Sequence, residues 1–289
     1  MSTSNLDVTV SPSNPLYITD TNNQFGVVTV LPGGQIFVQT TAKITIEKLI
    51  KSTSALKSTK EQNVIGDINI LGKPGAPGQN GTPGSPGQNG IDGQNANCNW
   101  ASGCNDGSDG TNGAAGGNGG NASSGGNGGD SPATTMNIGS VSGIFTVVAG
   151  GGDGGDGGNG GNGGNGGSGG NGGNGDSSGA YSRGGYSGGN GAKAGNGGNG
   201  ADGGNGGNGN VVNIIYRALD SGSQLIAHPI SGVPGNGGSG GIGGTGGAAG
   251  KGGSPGGNNG TPGDSGTNGN SGSKGSNSGQ LPPINIMQG

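Results

Sequence analysis

From Gly72 onward glycine returns at every third position, and that register limits what the chain can fold into more than any other feature. Gly72, Gly75, Gly78, Gly81, Gly84, Gly87, Gly90 and Gly93 share one phase. Comparable runs follow, giving six in all at 72–93, 107–129, 150–175, 188–209, 235–256 and 260–275. Between Gly151 and Gly175 two of every three residues are glycine, and the third reads Asp153, Asp156, Asn159, Asn162, Asn165, Ser168, Asn171, Asn174. With 83 glycines and only 25% hydrophobic residues, an ordinary apolar core cannot run the length of the chain. The same composition belongs to flexible linkers, so disorder is the competing reading; a linker, however, has no reason to hold phase.

A period of three is that of the polyproline-II helix, which rises about 3.1 Å per residue and makes no internal hydrogen bonds. Each phase becomes one column on one face. A column without Cβ atoms lets a neighbouring backbone come close enough for N–H and C=O groups to pair laterally. The first run, GKPGAPGQNGTPGSPGQNG, also satisfies the Gly-X-Y rule of collagen, but the GGN runs lack the imino acids that a triple helix uses.

Residues 1–50 read differently, as short strands at Leu6 to Val10, Leu16 to Thr19, Phe25 to Leu31, Gln35 to Gln39 and Lys43 to Leu49. A polar stretch at 51–63, with Lys51, Lys57 and Lys60, reads as a linker or a solvated helix. Residues 64–289 form the glycine-rich part, in which strand-like segments recur at every second junction: Val64 to Leu71, Thr134 to Ala149, Val211 to Ile230 and Pro283 to Met287. The middle two read as hairpins turning near Ser140 to Gly143 and Asp220 to Ser223. The fold class expected from these signals is all-β-like: an antiparallel bundle of six polyglycine-II (PPII-type) helices with short strands and hairpins at one end, behind a small N-terminal β-rich region.

The remaining junctions are polar loops at Gln94 to Asp106, Asp176 to Ser187 and Gly257 to Asn259, which this plan gathers at the opposite tip. Cys98 and Cys104 flank the sole tryptophan, Trp100. A disulfide between them suits an oxidising compartment, and two free thiols is the alternative. Tyr181, Arg183 and Tyr186 fall in the second tip loop. With Trp100 they are residue types enriched in binding hot spots, and capping of the run ends is the competing role.

Chemistry-bearing patterns are thin. GxGxxG recurs through composition alone, and Gly246 to Ser254 lacks both the leading glycine and the Ser/Thr after Lys251 that a phosphate loop uses. The GGDGGDGGNGG stretch lacks the apolar residue that a calcium-binding nonapeptide turns inward, so Asp153 and Asp156 are not read as metal ligands. His228 is the single histidine, in a predicted strand before Pro229, and is read as structural. No catalytic group, cofactor or metal is expected. A net charge of −4 offers no basic face for nucleic acid, and no stretch approaches the length of a membrane span or a leader peptide.

The phase-locked glycines and the run-and-turn plan from Gly72 to Gly279 resemble the polyglycine-II proteins: snow flea antifreeze protein, the glycine-rich domain of Obg GTPases and the tip adhesins of T-even phage tail fibres. The likeness does not extend to the N-terminal region. It implies a hydrogen-bonded glycine bundle and, by the phage adhesins, distal loops that contact a bacterial outer-membrane protein. The expected function is a non-enzymatic structural protein on a cell or virion surface, a fibre or filament component. Its N-terminal strands are expected to join a second copy or a scaffold protein. A receptor-binding adhesin is the alternative, and an ice-binding protein a third reading.

Overall fold

The computed structural model describes residues 6–52 and 66–289. Its strands are, in chain order, β1 (Leu6–Val10), β2 (Leu16–Ile18), β3 (Asn22–Val30), β4 (Ile36–Val38), β5 (Ala42–Lys51), β6 (Ile68–Leu71), β7 (Asn97–Asn99), β8 (Gly103–Asn105), β9 (Thr134–Ser142), β10 (Ile144–Gly150), β11 (Asp176–Ser178), β12 (Tyr181–Arg183), β13 (Val212–Leu219), β14 (Gln224–Pro229) and β15 (Ile284–Gln288). A six-stranded sheet runs β1-β3-β5-β9-β13-β15 and a five-stranded sheet β2-β4-β6-β10-β14. Every pairing within these two sheets is parallel. The pairs β7–β8 and β11–β12 are antiparallel hairpins.

This overturns the expected fold class. Among the described residues there is no helix, and the chain is not a bundle of helices; it is built on two parallel sheets fed alternately. The predicted hairpins are the clearest error. At Gly143, whose φ of 107° favours glycine, the chain leaves β9 in one sheet and enters β10 in the other. β13 and β14 part in the same way, across Asp220 to Ser223. Alternation along a strand reports only that one face is buried, and a strand arching between stacked sheets meets that condition as well as a hairpin does. The third distal turn also moves, to Ser254–Gly256, with Gly256 at φ 86°. Of the expected linker, Lys51 closes β5, whereas residues 53–63 lie outside the described residues, as do Val64 and Ile65.

The apolar core lies between the sheets. Ile44, Met136 and Ile214 align across three neighbouring strands of one sheet and are fully buried; Ile36, Ile68 and Val147 do the same in the other. Each such side chain contributes about 2 kcal/mol of transfer free energy. Lys51 closes one end of this core, its Nζ 2.8 Å from Asp67, whose carboxylate also accepts the Thr146 N–H.

The glycine-rich segments leave this core and come back to it. Extended runs set out from β6, β10 and β14 and return to β9, β13 and β15. Runs in one excursion bond antiparallel, as when Gly120 N–H donates to Thr82 O (2.7 Å). Equivalent runs of successive excursions bond in parallel: Gly81 N–H donates to Asn159 O and Gly160 N–H to Ser239 O, both at 2.8 Å. A third, diagonal set joins the two layers between excursions, with Gly161 N–H to Gly120 O at 2.9 Å and Gly241 N–H to Gly198 O at 2.8 Å. Where the sheets are held apart by side chains, the runs are held together by amides.

Such approach demands glycine. A Cβ at Gly81 would stand 1.9 Å from Gly120 O, and one at Gly161 2.0 Å from Thr82 O, distances that real side chains do not make. The run from 151 to 175 is bonded to four others, through Gly81, Gly120, Gly198 and Ser239 among their partners, and both its inward columns are glycine without exception. Its outward column has another task. Asn159 Oδ1 accepts the Ser239 N–H and Asn162 Oδ1 the Ile242 N–H, each 80 residues ahead, while Asn80 Oδ1 accepts the Asn159 N–H 79 ahead. Asparagine in every third place therefore caps the N–H groups that the backbone ladder leaves over.

Candidate functional site: the distal tip and the open strand edge

Two hairpins stand at the far ends of the runs. In β7–β8, Cys98 lies opposite Cys104 and the two are joined by a disulfide with S–S 1.93 Å. Asn99 Oδ1 accepts the Ala101 N–H, and Gly103 at φ 87° supplies the left-handed residue of the turn. In β11–β12 the loop is Gly179-Ala180, with Gly179 at φ 62°.

Charged groups join the hairpins. Asp176 accepts the Cys98 N–H through Oδ2 and the Ser177 N–H through Oδ1, both at 2.8 Å. These bonds, the one from Cys98 foremost, hold its carboxyl below the usual carboxylate range. Arg183 Nε donates to the Asp106 carboxylate, which raises the guanidinium pKa. Neither acid stood out in the sequence. The available signal was position, Asp106 two residues after Cys104 and Asp176 at the start of the second loop.

The expected recognition residues separate into two groups. Trp100 is 78% and Tyr181 47% exposed, and both lie at the seam between the hairpins. A Cβ on Gly179 would sit 3.9 Å from Trp100 Cβ, and one on Gly103 would sit 4.0 Å from the Tyr181 ring. Arg183 is exposed and paired with Asp106. Tyr186 is elsewhere: it is half-buried, its ring fills the space where a Gly107 side chain would go, and its carbonyl accepts the Gly253 N–H at 2.8 Å. It is part of the lattice and not of the tip surface.

The opposite feature is the strand edge at β1 and β2. Among the described residues each of these strands, like β14 and β15 at the opposite ends, is paired on one side only. Leu6 is 67% exposed. The β1–β3 ladder slips between Leu6 and Val8, where Asp7 Oδ1 accepts the Val27 N–H. Val10 O accepts from Leu31 N–H on the β3 side, so alternation turns the Thr9 N–H outward. On β2, Tyr17 is half exposed and stacks on Phe37 with ring centroids 5.3 Å apart.

The glycine lattice, by contrast, is closed along parts of its margins. In the first run, Pro74, Pro77, Pro83 and Pro86 occupy the outward column, the one whose N–H, one excursion later, donates backward as Asn159 does to Asn80. Proline has no N–H to leave unpaired. Ser123, Thr111 and Ser108 turn their hydroxyl oxygens onto the N–H groups of Gln79, Ile91 and Gln94. At the other margin Asn268 caps Gly243 and Asn259 caps Gly252. Comparison with protein-family models, with curated proteins and with solved structures returned no match.

Proposed function

We propose that this chain is a non-enzymatic structural protein of a cell or virion surface, in which β1 docks onto a second copy or a scaffold protein and the glycine lattice projects the hairpin tip. The observation that carries this reading is the contrast between edges. Proline and side-chain caps cover part of the lattice margins, whereas β1 keeps an outward N–H at Thr9 and an exposed Leu6 beside it. A strand edge with unpaired N–H groups is where another strand adds. The polar side chains of the lattice are spent on backbone N–H groups, which suits a rigid spacer better than a reactive site. A disulfide-closed tip fits an oxidising exterior.

Thr9→Pro tests the docking. It removes the outward N–H and leaves the bond between Val10 and Leu31 in place. Assembly measured by light scattering should be lost with the melting temperature within a few degrees of the parent. Particle size unchanged by the substitution, or a parent protein that stays monomeric and takes up no strand partner, would refute it.

A second reading rests on Trp100, the most exposed large apolar side chain among the described residues. In this reading the tip is a receptor-binding surface and Trp100 and Tyr181 are its anchors. The pair Trp100→Ala and Tyr181→Ala should abolish cell binding with folding intact, and Tyr186 should be left in place because it packs on Gly107. Undiminished binding would remove this reading and leave the structural one standing.

A further inference from the structure

The sequence contains eighteen Asn-Gly pairs. In water this dipeptide is chemically weak: the glycine nitrogen, as its proton passes to hydroxide, attacks the asparagine Cγ and ammonia leaves. The resulting succinimide takes up one water to give aspartate or isoaspartate. Two groups must be free for the ring to close, the side-chain amide of the asparagine and the N–H of the glycine that follows.

The lattice ties up both, pair after pair. Asn159 Oδ1 accepts the Ser239 N–H while Gly160 N–H donates to Ser239 O; Asn196 Oδ1 and Gly197 N–H engage Thr267 in the same way. At the outer margin the last returning run supplies the bonds, as where Asn268 Oδ1 accepts the Gly243 N–H and Gly269 N–H donates to Gly241 O. One pair stands apart. Asn236 has its own N–H on Asp156 Oδ1 and its carbonyl on Gly157 N–H, but among the described residues its side-chain oxygen accepts nothing and the N–H of Gly237 has no acceptor.

The cause is a single residue. Ser271 and Asn268 of the last run face the N–H groups of Gly240 and Gly243. One triplet further along, the position facing Gly237 is Lys274, whose ammonium only donates. Asn236 is also exposed, on the outermost run of its layer.

We propose that Asn236 is the site of spontaneous deamidation in the folded protein, and that the other Asn-Gly pairs are protected by the lattice that their own side chains build. Conversion places a new negative charge, and in the isoaspartyl form an extra backbone methylene, at the margin next to the bond between Gly157 and Asn236.

The full-length folded chain, incubated at pH 8.5 and mapped by trypsin and mass spectrometry, tests this. Cleavage after Arg217 and Lys251 releases residues 218–251, in which Asn236 is the sole asparagine; residues 194–217 carry Asn196, Asn199, Asn205 and Asn208, each before glycine. The gain of one mass unit should appear in 218–251 at least about tenfold faster than in 194–217, since a local opening free energy of only ~1.4 kcal/mol slows a bonded site tenfold. In denaturant the per-site rates should converge. Lys274→Asn restores an acceptor opposite Gly237 and should bring the Asn236 rate down to that of its neighbours. Equal native rates in the two peptides, no native conversion at Asn236 over the time in which the denatured chain is fully converted, or an Asn236 rate untouched by Lys274→Asn would each overturn the proposal.

Discussion

Replacing Gly161 by alanine tests the lattice at its centre. The new Cβ would lie 2.0 Å from Thr82 O and 2.5 Å from Thr82 C, so the first run must retreat by about 1.4 Å to reach ordinary contact. That displacement breaks the bond from Gly120 N–H to Thr82 O (2.7 Å) and strains those from Gly81 to Asn159 and from Gly84 to Asn162, both 2.8 Å. Two to three bonds at about 1 kcal/mol each give a loss of 2–3 kcal/mol, offset by roughly 0.5 kcal/mol because alanine has less unfolded-chain freedom than glycine. The net, about 2 kcal/mol, should lower the melting temperature by roughly 4–8 °C in a domain of this size. The chain carries its own calibration. Ala122 and Ala201 stand in glycine columns, and the bonds beside them, from Gly158 N–H to Ser123 O and from Ala201 N–H to Gly158 O, are both 3.1 Å, against 2.8 Å at Gly164–Gly117 and Gly195–Gly164. Return runs take a methyl at the cost of these longer bonds, whereas both inward columns of the run at 151–175 are glycine throughout. Ser168→Ala in the outward column of the same run is the control and should melt within a degree of the parent. A Gly161→Ala protein that melts within a degree of the parent, measured by circular dichroism, would refute the close-approach argument.

The asparagine caps predict a chemical preference: Asn162→Leu removes the acceptor for the Ile242 N–H and should destabilise by about 1 kcal/mol, whereas Asn162→Asp should be nearly neutral, because Asp156 already holds the Asn236 N–H in this way. Urea unfolding of the two variants distinguishes them, and equal midpoints would count against the caps. Reducing the Cys98–Cys104 disulfide opens a short loop between residues six apart and should release about 2 kcal/mol of constraint on the tip, seen as faster amide exchange at 97–105 while 151–175 stays protected. Acid should loosen the tip: because the Asp176 carboxyl is held below its ordinary value of 3.8, its bond to the Cys98 N–H is at full strength above that value and is lost as pH falls through the lower folded one. The Cys98 amide resonance should titrate with Asp176 and cease to do so in Asp176→Asn.

Much of the local structure was written in the sequence, and the long-range structure was not. The strands from Leu6 to Leu49 were visible because VTV, IFV and ITI alternate, and β1 begins and ends where alternation does. What misled was the pair at 134–150. Met136, Ile138 and Val141 face the core from one sheet while Phe145 and Val147 face it from the other, and nothing local distinguishes that arch from a hairpin. The partner that decides, Ile44 for Met136, lies 92 residues back in sequence, beyond the reach of any periodicity. At the tip, exposure of Trp100 followed from a tryptophan in a polar loop. Tyr186 looked the same in sequence and differs only because Gly107, on another run, leaves a gap for its ring.

The two ways of filling space in this molecule share one path of the chain. Sheets stack about 10 Å apart because side chains fill the interval, and the rows Ile44–Met136–Ile214 and Ile36–Ile68–Val147 are that filling. Beyond Leu71 and Gly150 the side chains vanish from the inward columns, the layers close, and hydrogen bonds such as Gly161 to Gly120 replace the oil. A rigid projection built this way needs few apolar residues and exposes few, which keeps a long, thin excursion from presenting the hydrophobic surface that a sandwich of equal length would need at its edges. The apolar sheets then do what glycine cannot. By fixing β6, β10 and β14 in parallel register they set the phase in which successive runs leave, so that Gly81 meets Asn159 and Gly160 meets Ser239 without a search. Shifting one strand by a residue would move every inward glycine column out of reach of its partner. Disrupting the core row at Met136 should accordingly loosen amide protection at Gly119 and Gly161, in runs that Met136 does not belong to, and protection there that survived Met136→Ala at full strength would show that the lattice sets its own register.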